Sequence, residues 1–317
     1  MKLSGEIALA SGFIFDYSNM INTDTITPAV IETLESKAKD AADALLLIRE
    51  QGMAKAHLSK DGTPEHVLFT KLPFVKNGNP NTPESIAKLK QFGSYLQQEI
   101  DAVVFLGVGG SYLGNKVLFD IFAGSGWNVG CEKRRHGYPR VYFSGNNLDV
   151  DQYSEVVDEV EYLATHRLGK NEQFRVLLVP ISKSGTTLET LAAFSYFYEQ
   201  CQKSSLLQME VAVVTDLDED ISPLYNLAKE NVWQCFDIKE GIGGRFCIFS
   251  DPGLITAAAI GMDIDAFLCG ARDMENACQS ASLGENPALL NAVLKYAAAE
   301  KGVDIEVFIC GENEICW

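Results

Sequence analysis

Four hydroxyl side chains and a lysine crowd into one short stretch of this sequence: Ser182, Lys183, Ser184, Thr186 and Thr187. An apolar run over 176–181 stops directly before them. A helical pattern carrying Leu188, Leu191, Ala192, Phe194 and Tyr198 starts directly after. The first N–H groups of a helix have no intrahelical acceptor and sit at the positive end of its dipole. A loop of hydroxyls at that point is a ready site for a phosphate. The plainer reading is a turn in which a Ser or Thr side chain caps the helix, and the sequence leaves both open.

The same device recurs earlier. An apolar strand over 103–108 runs into Gly107, Gly109, Gly110 and Ser111, and a helix follows through Leu113, Val117, Phe119 and Ile121. Glycines let the backbone approach a ligand closely. A dinucleotide fingerprint needs a third glycine where Tyr112 stands, so no nicotinamide cofactor is expected. A third segment, Gly241, Gly243, Gly244, Arg245 and Phe246, implies a tight backbone from which an arginine projects. That arginine serves either a site or a structural salt bridge.

Several elements must position these groups. Thr27-Pro28 is a helix start, with Pro28 at the first helical position. Ile31, Leu34, Ala38, Ala41, Leu45 and Ile48 form its apolar stripe and Gly52 ends it. Residues 1–26 read as irregular and 56–84 as loop-rich. Pro83 opens a helix with Ile86, Leu89, Phe92 and Leu96 on one face. Further strands are predicted at 140–144, 210–215 and 232–237, with helices over 151–164, 187–201 and 222–230. Helices over 253–260 and 264–278, one from Asn286-Pro287 to Ala299, and an apolar strand at 304–309 complete the pattern. Strands alternating with helices make right-handed crossovers and a parallel sheet covered on both faces. Ligands of such sheets bind outside the carboxyl ends of the strands, where both small-residue loops fall.

The chain has 317 residues, room for about two domains. Its 26 basic and 43 acidic residues leave a net charge of −17. That lacks the basic surplus a nucleic-acid backbone requires, yet it permits a local anion pocket built from N–H groups. Cys131, Cys201, Cys235, Cys247, Cys269, Cys278, Cys310 and Cys316 form no C-x-x-C pair. They read as reduced thiols of an intracellular protein, with neither a disulfide frame nor a metal site. The opening stretch is a poor signal peptide, because polar residues interrupt its apolar run. No apolar run is long enough to span a membrane.

Three segments in this order resemble glucose-6-phosphate isomerase: 107–114, 182–190 and 243–246. The first two are also typical of the wider sugar-isomerase (SIS) fold; the third is the more diagnostic. The resemblance implies an α/β protein with a doubly wound, flavodoxin-like parallel sheet. It implies a helical and loop-rich region over 1–88, a first SIS domain over 89–240, and the start of an incomplete second one over 241–317. It assigns the sugar phosphate to Ser111, Ser182, Lys183, Ser184 and Thr187, with Lys183 acting chiefly through its backbone. Arg245 is the implied stabiliser of an enediolate. Gly109, Gly110, Gly244 and Glu189 support the site. The family usually has Ser where Cys247 stands here.

The implied reaction interconverts glucose 6-phosphate and fructose 6-phosphate, a cytoplasmic step of glycolysis and gluconeogenesis that needs neither cofactor nor metal. The family's Glu, His and Lys acid–base groups lie downstream of the Gly-Gly-Arg segment, and none has a match here. Glu312 and Glu314 lack helical context, and His136 and His166 read as solvated surface groups. The chain is therefore expected to be a shortened isomerase that lacks its general base. A non-catalytic SIS module that binds a phosphosugar is the alternative. A third reading, an isomerase of aminosugar phosphates, is disfavoured by the Gly-Gly-Arg segment. The family tends to form homodimers; no nucleic acid or membrane partner is expected.

Overall fold

The computed structural model describes residues 5–21, 26–59, 62–170, 172–303 and 305–307. The chain divides into two compact units, one of Val75–Ile264 and one of Met1–Phe74 with Asp265–Trp317.

The first of these is built on a five-stranded parallel sheet. Its strands are β1 (Ala102–Leu106), β2 (Arg140–Ser144), β3 (Phe174–Pro180), β4 (Leu207–Thr215) and β5 (Gln234–Asp237). Their order across the sheet is β2-β1-β3-β4-β5, all parallel. Every residue of β1 is buried. That is why it reads as an unbroken apolar run rather than an alternation: helices cover both of its faces.

On one face lie α3 (Val150–Thr165), α4 (Leu188–Lys203) and α5 (Pro223–Glu230). Tyr153, Val160, Phe194, Phe197 and Leu224 from these helices pack with Val104, Leu106, Val176, Leu178 and Val213. The opposite face carries α1 (Pro83–Glu99), α2 (Gly110–Phe122) and α6 (Asp251–Ala259). Phe92 of α1 meets Phe236 of β5, and Phe119 of α2 meets Phe143 of β2. All nine residues of α6 are buried. At Gly93 of α1 an added Cβ would stand 3.0 Å from the Ala258 carbonyl, so these two helices cross closely.

The predicted strands and helices of this unit all form, with ends shifted by a few residues. Helix α2 starts at Gly110 and buries Asn115, Leu118 and Phe119, while Leu113 and Ile121 are exposed. This compact unit, 75–264, includes both α1 and α6.

In the other unit, helix Pro28–Gln51 begins as expected: the Thr27 hydroxyl accepts from Val30 N–H at 3.3 Å, and Gly52 ends it at φ 67°. Its Ile31, Ala38 and Ala42 pack with Leu290, Val293 and Leu294 of helix Pro287–Ala299. Arg49 ties its last turn to Glu275 at 2.8 Å and to the Cys278 carbonyl at 2.8 Å.

Two short antiparallel pairs, Glu6–Ala8 with Ile14–Asp16 and Met53–Leu58 with Pro64–His66, stand where irregular chain was expected. Both are turned by local glycines at positive φ, Gly12 and Gly62. They are too short and too exposed to leave a periodic sequence signal. Of the apolar strand expected at 304–309, residues 305–307 are in no strand, and the rest lies outside the described residues, as do Glu312 and Glu314. Among the described residues no helix is long and apolar enough to cross a membrane.

Candidate functional site

A doubly wound sheet in the order 2-1-3-4-5 has its topological switch point between β1 and β3. From the carboxyl ends of these two strands issue the glycine loop and the hydroxyl loop. Both lead into helices whose first turns no side chain caps: Gly109 before α2 and Thr187 before α4. The Thr187 hydroxyl pairs instead with Ser182 Oγ at 2.8 Å. The helix-capping alternative is thus not how this loop is built.

A cleft of about 570 Å³ lies over this point, lined among others by Ser111, Ser182, Lys183, Ser184 and Thr187. All five residues assigned to the phosphate are therefore brought together.

The hydroxyl loop is held from behind. Gly185 has φ 64°, and an added Cβ there would fall 2.1 Å from Ser222 Oγ. Ser222 Oγ lies 2.6 Å from Thr215 Oγ1, which donates to the Ser182 carbonyl at 2.7 Å. Thr215, Ser222 and Ser182 are all buried, so this staple is shielded from solvent and favours one loop shape. On the glycine side, buried Asn115 donates to the Ser111 carbonyl at 2.9 Å.

Gly110 explains the third segment. A Cβ there would stand 2.0 Å from the Gly244 carbonyl oxygen, so the turn Gly244–Phe249 is docked directly on the glycine loop. Cys247 Sγ donates to the carbonyls of both Gly110, at 3.3 Å, and Gly244, at 3.0 Å. Burial pushes its thiol up to about 11, so it stays protonated and able to donate. The bond to Gly110 joins two of the three segments.

Arg245 rides on this turn but is exposed, and its side chain is not among the groups lining the cleft. Glu189, on the first turn of α4, is half-buried and also stands off the cleft. His136 and His166 are exposed, as expected.

Two carboxylates line the cleft that sequence reading did not single out, Asp216 and Glu240. Burial, and then neighbouring Asp237, raise the Asp216 carboxyl above its ordinary value. The available signal was position: Asp216 is the first residue past the carboxyl end of β4, on the ligand edge of the sheet. Lys183 is the one cation among the lining residues named for this cleft. An anion here must rely on it, the hydroxyls and the two helix N-termini, working against both acids.

A doubly wound sheet with a hydroxyl loop and a glycine loop meeting at its switch point defines a SIS-type domain. The family model described as phosphoglucose isomerase matches residues 84–310, and the chain belongs to that family. The glucose-6-phosphate isomerase of Clostridioides difficile (strain 630) is 32% identical over 213 residues, covering 67% of this chain and 45% of that protein. That of Lactococcus lactis subsp. cremoris is 28% identical over 283 residues, covering 89% of this chain and 56% of the relative. The chain thus spans about half the length of the curated relatives it matches. The crystal structure of a hypothetical protein from Thermus thermophilus, TT0462, shares the fold, with a TM-score of 0.60 at 24% identity. The match covers 85% of this chain and 54% of that one.

Proposed function

We propose that the cleft at the β1/β3 switch point cradles the phosphate of a hexose 6-phosphate. The chain then supplies the phosphate half of an aldose–ketose isomerase site that interconverts glucose 6-phosphate and fructose 6-phosphate. The observation that carries this reading is the convergence of Ser111 with Ser182, Lys183, Ser184 and Thr187 on one cleft between two uncapped helix N-termini, in a chain of this family.

Held there, the phosphate anchors the sugar and orients its reacting carbons. As the proton moves between C1 and C2, negative charge builds on the enediolate oxygens. Arg245 supplies a permanently protonated guanidinium for that charge, from a turn seated on the glycine loop. A swing of its exposed side chain over the cleft is part of this proposal. The transfer also needs a general base, which by family resemblance belongs to a further domain of the same class. Glu189 supports the first turn of α4.

The test is a thermal-shift titration with glucose 6-phosphate, controlled by glucose plus inorganic phosphate. A ligand held only by the folded state raises stability by about 2.7 kcal/mol at 100 times its Kd. A saturable shift with the phosphosugar, lost in Ser184→Ala/Thr187→Ala, is expected. A cooperatively melting chain with no shift, or ordinary isomerase turnover by the purified chain in a coupled assay, would overturn the respective parts of the proposal.

A further inference from the structure

The opposite edge of the same sheet carries a concentration of positive charge, unusual in a chain of net charge −17. Arg140 opens β2 at the sheet's amino end, and Arg135 lies in the loop just before it. Both are buried, at 8% and 3% exposure. Neither forms an ion pair with a described carboxylate.

Their acceptors are backbone carbonyls only. Arg140 Nε donates to Asn128 O at 3.1 Å, and its Nη1 to Leu168 O at 3.4 Å. Arg135 Nε donates to Tyr138 O at 3.2 Å, and its Nη1 to Gly130 O. The Asn128 and Gly130 carbonyls are two residues apart, so both guanidinium groups are fixed on one short loop. Nη2 of each has no acceptor among the described residues.

Other cations surround them. Lys170 Nζ is half-buried, donating to the carbonyls of Gln97 at 2.9 Å and Ile100 at 2.6 Å. His136, whose carbonyl accepts from Gln97 Nε2 at 2.8 Å, anchors the same corner. Lys133, Arg134, His136 and Arg167 are exposed on the loops that hold the two arginines.

The carboxylates in range are mostly committed. Asp101 accepts from two backbone N–H groups, Glu99 is paired with Arg175, and Glu159 accepts from the Tyr142 hydroxyl. Exposed Glu132 remains. Burial, and then charge repulsion from Arg140, lower the Arg135 value, which is the condition a bound anion would relieve.

We infer that Arg135 and Arg140, with Lys133, Arg134 and Lys170 around them, form a second anion site at the amino edge of the sheet, one that takes a small multivalent oxyanion of the phosphate class. Planar guanidinium edges with free N–H groups match two oxygens of such an anion in parallel, and burial strengthens each charge-assisted hydrogen bond. The site differs in kind from the cleft, which offers backbone dipoles and hydroxyls. It stands at the other end of the strands and does not depend on the hexose-phosphate reading.

The test uses the whole chain carrying Ser184→Ala/Thr187→Ala, so that the cleft no longer contributes, and titrates it calorimetrically with pyrophosphate and with inorganic phosphate. Saturable binding is expected, tighter for pyrophosphate. Adding Lys133→Ala/Arg134→Ala, two exposed positions that leave folding intact, should weaken it at least threefold. Arg135→Lys keeps the charge but loses the fork, and should weaken it about tenfold while the chain still melts cooperatively. No binding to the cleft-disabled chain, or binding that neither further variant alters, would overturn the inference. Loss of glucose 6-phosphate binding in the cleft variant, with pyrophosphate binding retained, separates this site from the other.

Discussion

The two edges of this sheet each bury an aspartate, and the two are treated in opposite ways. At the amino edge Asp101 accepts from Lys170 N–H at 2.5 Å and Arg175 N–H at 2.8 Å. At the carboxyl edge Asp251, the first residue of α6, accepts from Asp237 N–H at 3.0 Å and sits beside the Asp237 carboxyl. Burial, against that one backbone bond, pushes its pKa up to about 6 from 3.8. At the amino edge the buried carboxylate is matched by two N–H donors. The carboxyl edge keeps uncapped helices, a desolvated acid and glycine-only contacts, the features that proteins concentrate where a ligand binds.

The comparison can be broken most forcefully at Gly110. Gly110→Ala drives a methyl into the Gly244 carbonyl and should cost about 3 kcal/mol in urea unfolding, with the Gly244–Phe249 turn displaced. At Gly109, where an added Cβ meets nothing within 4 Å, the cost should be about 2 kcal/mol, from the φ 54°, ψ −121° backbone alone. Equal costs would mean that the turn is not seated on the loop.

The two aspartates give the next largest effects, with opposite signs. Asp101→Asn turns one acceptor into a donor facing a buried N–H and should destabilise by about 2 kcal/mol. Asp251→Asn should stabilise above pH 6. The native state holds a proton there that the unfolded chain has lost, so wild-type stability falls as pH rises from about 4 to about 6 and is level beyond. The variant should lack that fall and gain about 2 kcal/mol at pH 7.5 relative to pH 4.5. Urea midpoints at the two pH values decide it; a fall retained in the variant would place the titration elsewhere.

A smaller effect concerns the staple behind the hydroxyl loop. Thr215→Val removes the donor to the Ser182 carbonyl and should cost about 1 kcal/mol. It should weaken phosphate binding more than stability, because the loop loses its fixed shape. The smallest is electrostatic: Asp216→Asn removes an acid from the cleft and should tighten inorganic phosphate about threefold at pH 8, less at low pH where Asp216 is already protonated. An affinity that does not change with this substitution would mean that the anion sits away from Asp216.

Much of this was legible because it is periodic or punctuated. The buried strands, the Thr27-Pro28 helix start and the order of the three loops all come from local pattern. The switch point did not, since strand order depends on long-range packing that no local spacing encodes. Asp216 and Glu240 were missed because acidic residues next to a turn look like ordinary solvated surface. Only the fold shows that Arg135 and Arg140 are buried, with no ion-pair partner among the described carboxylates. The role of Cys247 needed three-dimensional contact between residues more than a hundred positions apart.

The central claim is that the carboxyl edge holds a sugar phosphate through backbone N–H groups at two helix N-termini. An NMR titration of the 15N-labelled, deuterated chain with glucose 6-phosphate addresses it directly. The account predicts saturable amide shifts at 109–112 and 184–189, absent in Ser184→Ala/Thr187→Ala. Shifts confined to 128–140 and 167–170, or none at all, would contradict it.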